Sequence, residues 1–155
     1  GKARVTAPGR DITLVGISYM QIECLRAHHY LREVNVHAEV VDPIWLSPMD
    51  MEGILASVRK TRRLLVVDNG WIPCGAGAEI VATVAEQLGG TGELKAHRMG
   101  FAPTTCPTTP PLESRFYPGA RDIAAAAFDL VSGKAQGWLP APRDDLKSVE
   151  FKGPF

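Results

Sequence analysis

Residues 64–67, Leu64-Leu65-Val66-Val67, form a continuous apolar run closed by Arg63 on one side and Asp68 on the other. Alternate residues of a strand point to opposite faces, so a run with no polar alternation needs cover on both sides. That requirement selects an inner strand of a parallel sheet with helices packed on each face. The neighbouring segments supply the partners. Residues 11–17 follow the Pro8-Gly9 turn and read as a strand, as do residues 36–41, Val36-His37-Ala38-Glu39-Val40-Val41. Residues 19–33 carry Met20, Cys24, Leu25 and Leu31 at near-helical spacing. Residues 50–58 read as a helix with an acidic first turn and Arg59, Lys60, Arg62 and Arg63 at its end, the polarity the helix dipole favours. Residues 78–88 and 119–132 are further helices, and residues 97–101 a weaker strand.

This order is that of an α/β layer, with about five strands and helices on both faces. Between its last strand and last helix, Pro103, Pro107, Pro110, Pro111 and Pro118 predict an extended loop over 102–118. The tail from Ser132 is rich in Pro and Gly and is expected to wrap a surface or to hang loose. No internal repeat occurs. With 155 residues, one domain is expected.

Charge and composition exclude several classes. Lys+Arg and Asp+Glu number 17 each, which leaves no positive excess to displace counterions from a nucleic acid. No apolar run approaches the roughly 18 residues of a membrane span, and no apolar stretch follows Lys2 and Arg4 as in a signal peptide. Cys24, Cys74 and Cys106 are odd in number and widely spaced, which predicts a reducing, cytoplasmic setting. The first residue is Gly and not Met, which predicts either processing or a piece of a longer polypeptide.

The loop from Asp68 to Ile80 carries most of the functional signal. It joins the buried strand to a helix and contains Gly70, Trp71, Cys74, Gly75, Gly77, Ala78 and Glu79. A dinucleotide fingerprint would need a third glycine where Ile80 stands, so the loop reads as a packing loop facing another chain or domain. Trp71 is its anchor, since large aromatics on loops are typical of interfaces. Cys74 precedes a helix N-terminus, a position that can activate a thiol. Cys74 and Cys106 are therefore candidates for a small cysteine enzyme, weighed against ordinary thiols. Cys24 lies in an apolar helical stripe and reads as core. His28, His29, His37 and His97 lack the spacing of a zinc site. The cluster Arg59, Lys60, Arg62 and Arg63 is either a solvated helix end or a holder of a phosphate or acidic group.

The order of short motifs then carries a resemblance. Gly1-Lys2-Ala3 opens the chain, and Asp11-Ile12-Thr13-Leu14-Val15 precedes a helix. Ala38-Glu39-Val40-Val41-Asp42 is followed by Leu46-Ser47-Pro48-Met49-Asp50, then Ser57-Val58-Arg59-Lys60-Thr61 and Leu65-Val66-Val67-Asp68-Asn69-Gly70-Trp71. Next come Gly75-Ala76-Gly77-Ala78-Glu79-Ile80 and Pro110-Pro111-Leu112-Glu113. Over residues 1–132 this resembles the C-terminal domain of the beta subunit of thiamine-diphosphate-dependent 2-oxo acid dehydrogenases, the transketolase C-terminal domain family. Residues 133–155 form a Pro/Gly-rich tail beyond it. Pro43, Ile44 and Trp45, Cys74, and the segment from Gly100 to Pro107 depart from the common pattern.

The resemblance implies a three-layer α/β/α sandwich with a mixed, mostly parallel sheet of about five strands. It implies an assembly domain that is not catalytic alone and binds no cofactor itself, thiamine diphosphate and Mg²⁺ belonging to the intact enzyme. The implied partners are a second copy in a homodimer, or the subunits of an alpha/beta heterotetramer, met through the loop 69–79. A dihydrolipoyl acyltransferase is a further implied partner, docking near Glu93. The alternatives are a free-standing binding or regulatory module of the same fold and a transketolase-like subunit.

Overall fold

The structure is a computed structural model and describes residues 1–146. Five strands make one sheet in the order β1-β3-β2-β4-β5. They are β1 (Arg4–Ala7), β2 (Ile12–Gly16), β3 (Ala38–Asp42), β4 (Arg63–Val67) and β5 (Lys95–Met99). The pairs β2–β3, β2–β4 and β4–β5 are parallel, whereas β1 runs antiparallel along β3. The expected mixed, mostly parallel sheet is therefore present. The sequence reading missed β1, whose four residues lie mostly exposed at an edge.

The helices are α1 (Met20–Arg32), α2 (Met51–Thr61), α3 (Ala76–Leu88), the single turn α4 (Pro110–Glu113) and α5 (Ala120–Ser132). The expected extended loop over 102–118 thus contains one helical turn, begun by Pro110 with its preset φ. Two cores form, one on each face of the sheet. Leu14, Val40, Leu65 and Val67 pack with Cys24, Leu31, Ile123 and Ala127 of α1 and α5. Val15, Val41, Leu64 and Val66 pack with Ile54, Val58, Ile80 and Val84 of α2 and α3. The apolar run of β4 is divided alternately between them, which completes the three-layer α/β/α sandwich.

Buried polar groups cross-link the layers. Thr13 on β2 shares its hydroxyl with Ser57 and Thr61 of α2, each at 2.7 Å. Glu23 on α1 accepts the Ala120 N–H at 2.9 Å, so a carboxylate from one helix meets the dipole of α5 at its N-terminus. The same Glu23 pairs with Arg26. Cys24 is fully buried and its thiol is held protonated, first by desolvation and then by the nearby Glu23 charge.

Beyond α5, the tail crosses the outer face of α1 and α5. Trp138 meets Phe128 edge to face at 5.2 Å. Arg121 donates to the Pro140 carbonyl at 2.6 Å, and Arg143 binds the Tyr30 hydroxyl through its N–H and Glu33 through its guanidinium. The tail thus wraps a surface as far as Leu146; its residues 147–155 lie outside the described residues.

Two outcomes follow from these buried groups. Thr13→Val keeps the shape of the side chain and removes the hydroxyl that Ser57 and Thr61 share, while Ser57 keeps its bond to Glu39. Urea unfolding should show a loss of about 1–3 kcal/mol, where a shape-only account expects almost none. Glu39 supplies a pH test. Burial pushes its carboxyl up, but donors from Lys60, Ser57 and the Gly9 N–H outweigh this and hold it below its ordinary value. A carboxyl lowered on folding contributes stability that is complete above its unfolded pKa, about 4.3, and is lost as pH falls through the folded value. The stability difference between the native chain and Lys60→Met should accordingly be largest at pH 7 and shrink below about pH 4.

Candidate functional site

Chain direction places the functional surface. The chain leaves β2 to build β3 on one side, then returns to build β4 and β5 on the other. The order reverses between β2 and β4, and in open α/β sheets the crevice outside the carboxyl ends at such a reversal is where ligands and partners meet the fold. The segments leaving β2, β3, β4 and β5 all emerge at that end.

The loop after β4 is shaped by backbone contacts. The Asp68 N–H donates to the Met99 carbonyl at 3.0 Å and the Phe101 N–H to Gly70 at 3.2 Å, which ties the loop to the end of β5. Arg98 donates to the Ile72 carbonyl at 2.7 Å. The Asp68 carboxyl is raised, first by desolvation and against the N–H groups of Asn69 and Gly70. A Cβ at Gly75 would stand 2.1 Å from the Trp71 carbonyl oxygen, so the turn into α3 admits no side chain there. A Cβ at Gly77 would stand 3.2 Å from Cγ1 of Val66. This close approach is between α3 and β4 of the chain itself, within a loop whose sequence reads as facing another chain or domain. Gly77 is buried, Gly70, Gly75 and Ala78 half-buried, and Trp71, Cys74 and Glu79 exposed.

An aromatic cluster grows on this loop. Trp71 meets Phe101 edge to face at 4.6 Å, Phe101 stacks on Phe116 at 4.9 Å, and Phe116 meets Tyr117 at 4.8 Å. Trp71 remains 53 % exposed although its ring is anchored from below. Tyr117 also hydrogen-bonds Cys106, and its hydroxyl is raised, first by desolvation and then by that thiol. The segment after β3 adds Ile44, Trp45 and Leu46, all exposed, and a Cβ at Gly1 would stand 3.8 Å from the Trp45 ring. Tyr19 and Ile22 at the start of α1 are exposed as well. A band of large apolar side chains on one end of a domain marks an interaction surface.

Trp71, singled out in the sequence, is exposed here, and so is Trp45, which the sequence marks only as a departure from the family pattern. The available signal was three consecutive apolar residues between Pro43 and Pro48, too short for a helix and too interrupted for a strand. Of the other candidates, Cys106 joins this end through its bond to Tyr117, whereas the basic cluster Arg59, Lys60, Arg62 and Arg63 lies at the opposite end of β4. His28 is held by the Ala38 carbonyl at 2.8 Å and its protonation is disfavoured, first by burial. Among the described residues no group of three or more His, Cys, Asp or Glu could hold a metal ion. Glu93 lies exposed on the α3–β5 loop, paired with Lys95.

Gly77→Val tests the packing of the loop. It should crowd Val66 and cost about 1–3 kcal/mol, read as a lowered Tm, and a Tm equal to that of the native chain would place Gly77 in open space.

Comparison with known proteins agrees with this architecture. The family "Transketolase, C-terminal domain" matches residues 1–123. The acetoin:2,6-dichlorophenolindophenol oxidoreductase subunit beta of Cupriavidus necator is 38% identical over 135 residues, covering 86% of this chain and 39% of that subunit. The mitochondrial pyruvate dehydrogenase E1 component subunit beta of Drosophila melanogaster is 36% identical over 135 residues, covering 86% of this chain and 37% of that subunit. Among solved structures, a split gene transketolase in an inactive beta4 tetramer superposes with a TM-score of 0.73 at 26% identity, over 84% of this chain and 42% of that one. The chain thus spans about two fifths of the length of the relatives it matches. Residues 1–123, the three-layer sandwich and its sheet order together make this chain a member of the transketolase C-terminal domain family.

Proposed function

We propose that this chain is the subunit-assembly domain of a thiamine-diphosphate-dependent enzyme of the 2-oxo acid dehydrogenase type, similar to a pyruvate dehydrogenase beta subunit. The observation that carries the reading is the exposed apolar band at the carboxyl end of the sheet, centred on Trp71 and Trp45. The matching relatives are named as beta subunits and one solved neighbour as a tetramer, which supports an assembly role.

In this reading residues 1–132 are the assembly domain and 133–155 an added tail. Gly70, Trp71, Cys74, Gly75, Gly77, Ala78 and Glu79 form the interface loop. Trp71, Cys74 and Glu79 face the partner, Gly75 permits the tight turn against the Trp71 carbonyl, and Gly77 lets α3 approach β4. The partner is a second copy of the subunit or, in an alpha/beta heterotetramer, the companion subunit. Thiamine diphosphate with Mg²⁺ supplies the decarboxylation chemistry in the intact enzyme, and no residue of this chain is assigned to hold either. A dihydrolipoyl acyltransferase docks near the exposed Glu93. The setting is cytoplasmic, which the unpaired Cys74 and Cys106 support; no helix among the described residues is long and apolar enough to cross a membrane. A transketolase-like subunit is the second reading, favoured by the split gene transketolase.

Sedimentation of the chain, with and without Trp71→Arg, tests the interface. The native chain should self-associate. The substitution should weaken association by about 2 kcal/mol or more, as expected for an interface anchor, with an unchanged far-UV CD spectrum. A native chain that stays monomeric at high concentration with water-exposed Trp fluorescence overturns the reading. Supplied with thiamine diphosphate and Mg²⁺, the chain alone should turn over no 2-oxo acid, and measurable turnover would place catalysis here.

A further inference from the structure

The basic cluster at the end of α2 is divided by the fold. Arg59 turns back to Glu52, and Lys60 reaches across to Glu39. Arg62 ends α2 in the left-handed conformation, φ 57°. Its guanidinium donates to the carbonyls of Leu88, Gly92 and Glu93 at 3.0–3.2 Å and to the Thr91 hydroxyl at 3.0 Å. It is thereby fixed as a wall beneath the α3–β5 loop. Arg63 begins β4 and is unlike the other three. Its Nη1 donates to the carbonyls of Asp11 and Thr61, while its Nε–H is buried with no partner among the described residues.

The parallel register sets Arg63 opposite Lys95, so the two side chains share one face of the sheet on neighbouring strands. Arg62, Arg63, Glu93 and Lys95 line a cavity of about 50 Å³. A water requires roughly 10–15 Å³ of such space, so there is room for a small polyatomic ion and none for a peptide. Three cations face one carboxylate. Glu93 lies 3.2 Å from Lys95 with 78% of its side chain in solvent, so it neutralises the rim and leaves the Arg63 donor unmet.

The geometry points to a binding site for a phosphate-sized tetrahedral oxyanion between Arg63 and Lys95, walled by Arg62. An oxyanion brings acceptor oxygens to a guanidinium edge and an ammonium at once, and it compensates charge that a water would leave standing. The site lies at the amino end of the strands, opposite the apolar surface, and does not depend on the interface loop 69–79, although its rim residue Glu93 is shared with the proposed acyltransferase dock. Its ligand is free inorganic phosphate or the phosphate group of a small monoester.

Titration of the full chain with inorganic phosphate, followed by calorimetry and ³¹P line broadening at ionic strength fixed with NaCl, tests the site. Saturable binding at one equivalent per chain is expected. Lys95→Gln and Arg63→Lys should each weaken it about tenfold or more, the loss of one charge-assisted hydrogen bond. Arg63→Lys keeps the charge and loses the fork, so weakening there separates bidentate recognition from simple attraction. Arg10→Gln, a surface cation outside the cavity, should change it less than about twofold. Arg63→Lys could unfold the chain by releasing Asp11, which CD would reveal. Lys95, whose ion-pair partner among the described residues is Glu93, then decides. Glycerol 1-phosphate in place of phosphate distinguishes the sources: equal affinity assigns the site to monoesters, and much weaker affinity to the free ion. No saturable binding by about 20 mM phosphate overturns the proposal, as does equal weakening in Lys95→Gln and Arg10→Gln.

Discussion

The rest of the molecule depends on the burial of β4 on both faces. Leu64 and Val66 belong to one core and Leu65 and Val67 to the other. Four successive apolar side chains can leave water only if helices cover both sides of the strand, so one short segment demands all three layers. The strand then needs neighbours for its backbone groups, since a buried N–H or C=O must be paired. β2 on one side and β5 on the other supply them. The reversal of strand order beside β4, which locates the candidate surface, follows from the same central position.

The layers are cross-linked by a few polar contacts between residues far apart in sequence. Glu23 meets Ala120 across 97 positions, and Arg143 meets Tyr30 across 113. Apolar packing sets which faces meet, and directional contacts such as these restrict how the faces slide. The tail beyond the family match takes part in this: Trp138 and Arg143 cover a helix face that would otherwise lie open.

The two ends of the sheet differ in chemistry. The carboxyl end bears Trp71, Trp45 and an aromatic stack, suited to a large dry contact. The amino end bears Arg62, Arg63 and Lys95 around a small cavity, suited to a small anion. Parallel strands make such segregation natural, because every connection of one kind emerges at one end.

Local pattern alone determined the inner strands and the main helices, because a short unbroken apolar run or a fall of apolar side chains every 3.6 residues is a local property of the chain. Cys24 was legible as core for that reason, and Trp71 stood out as a large aromatic on a glycine-rich loop, though its packing on Phe101 was not legible there. The motif order added the layer architecture. What lay beyond reach depends on distant partners. β1 is four residues whose identity as a strand comes from β3, more than thirty positions away. Gly77 belongs to a loop read as facing another chain or domain, and only packing revealed that Val66 stands beside it. The cluster Arg59, Lys60, Arg62 and Arg63 is one block in sequence; tertiary structure sent two of its members to carboxylates, one to backbone carbonyls and one to a cavity beside Lys95. A side chain's chemistry is written in the sequence, but its partner is chosen by which strands and helices are brought beside it.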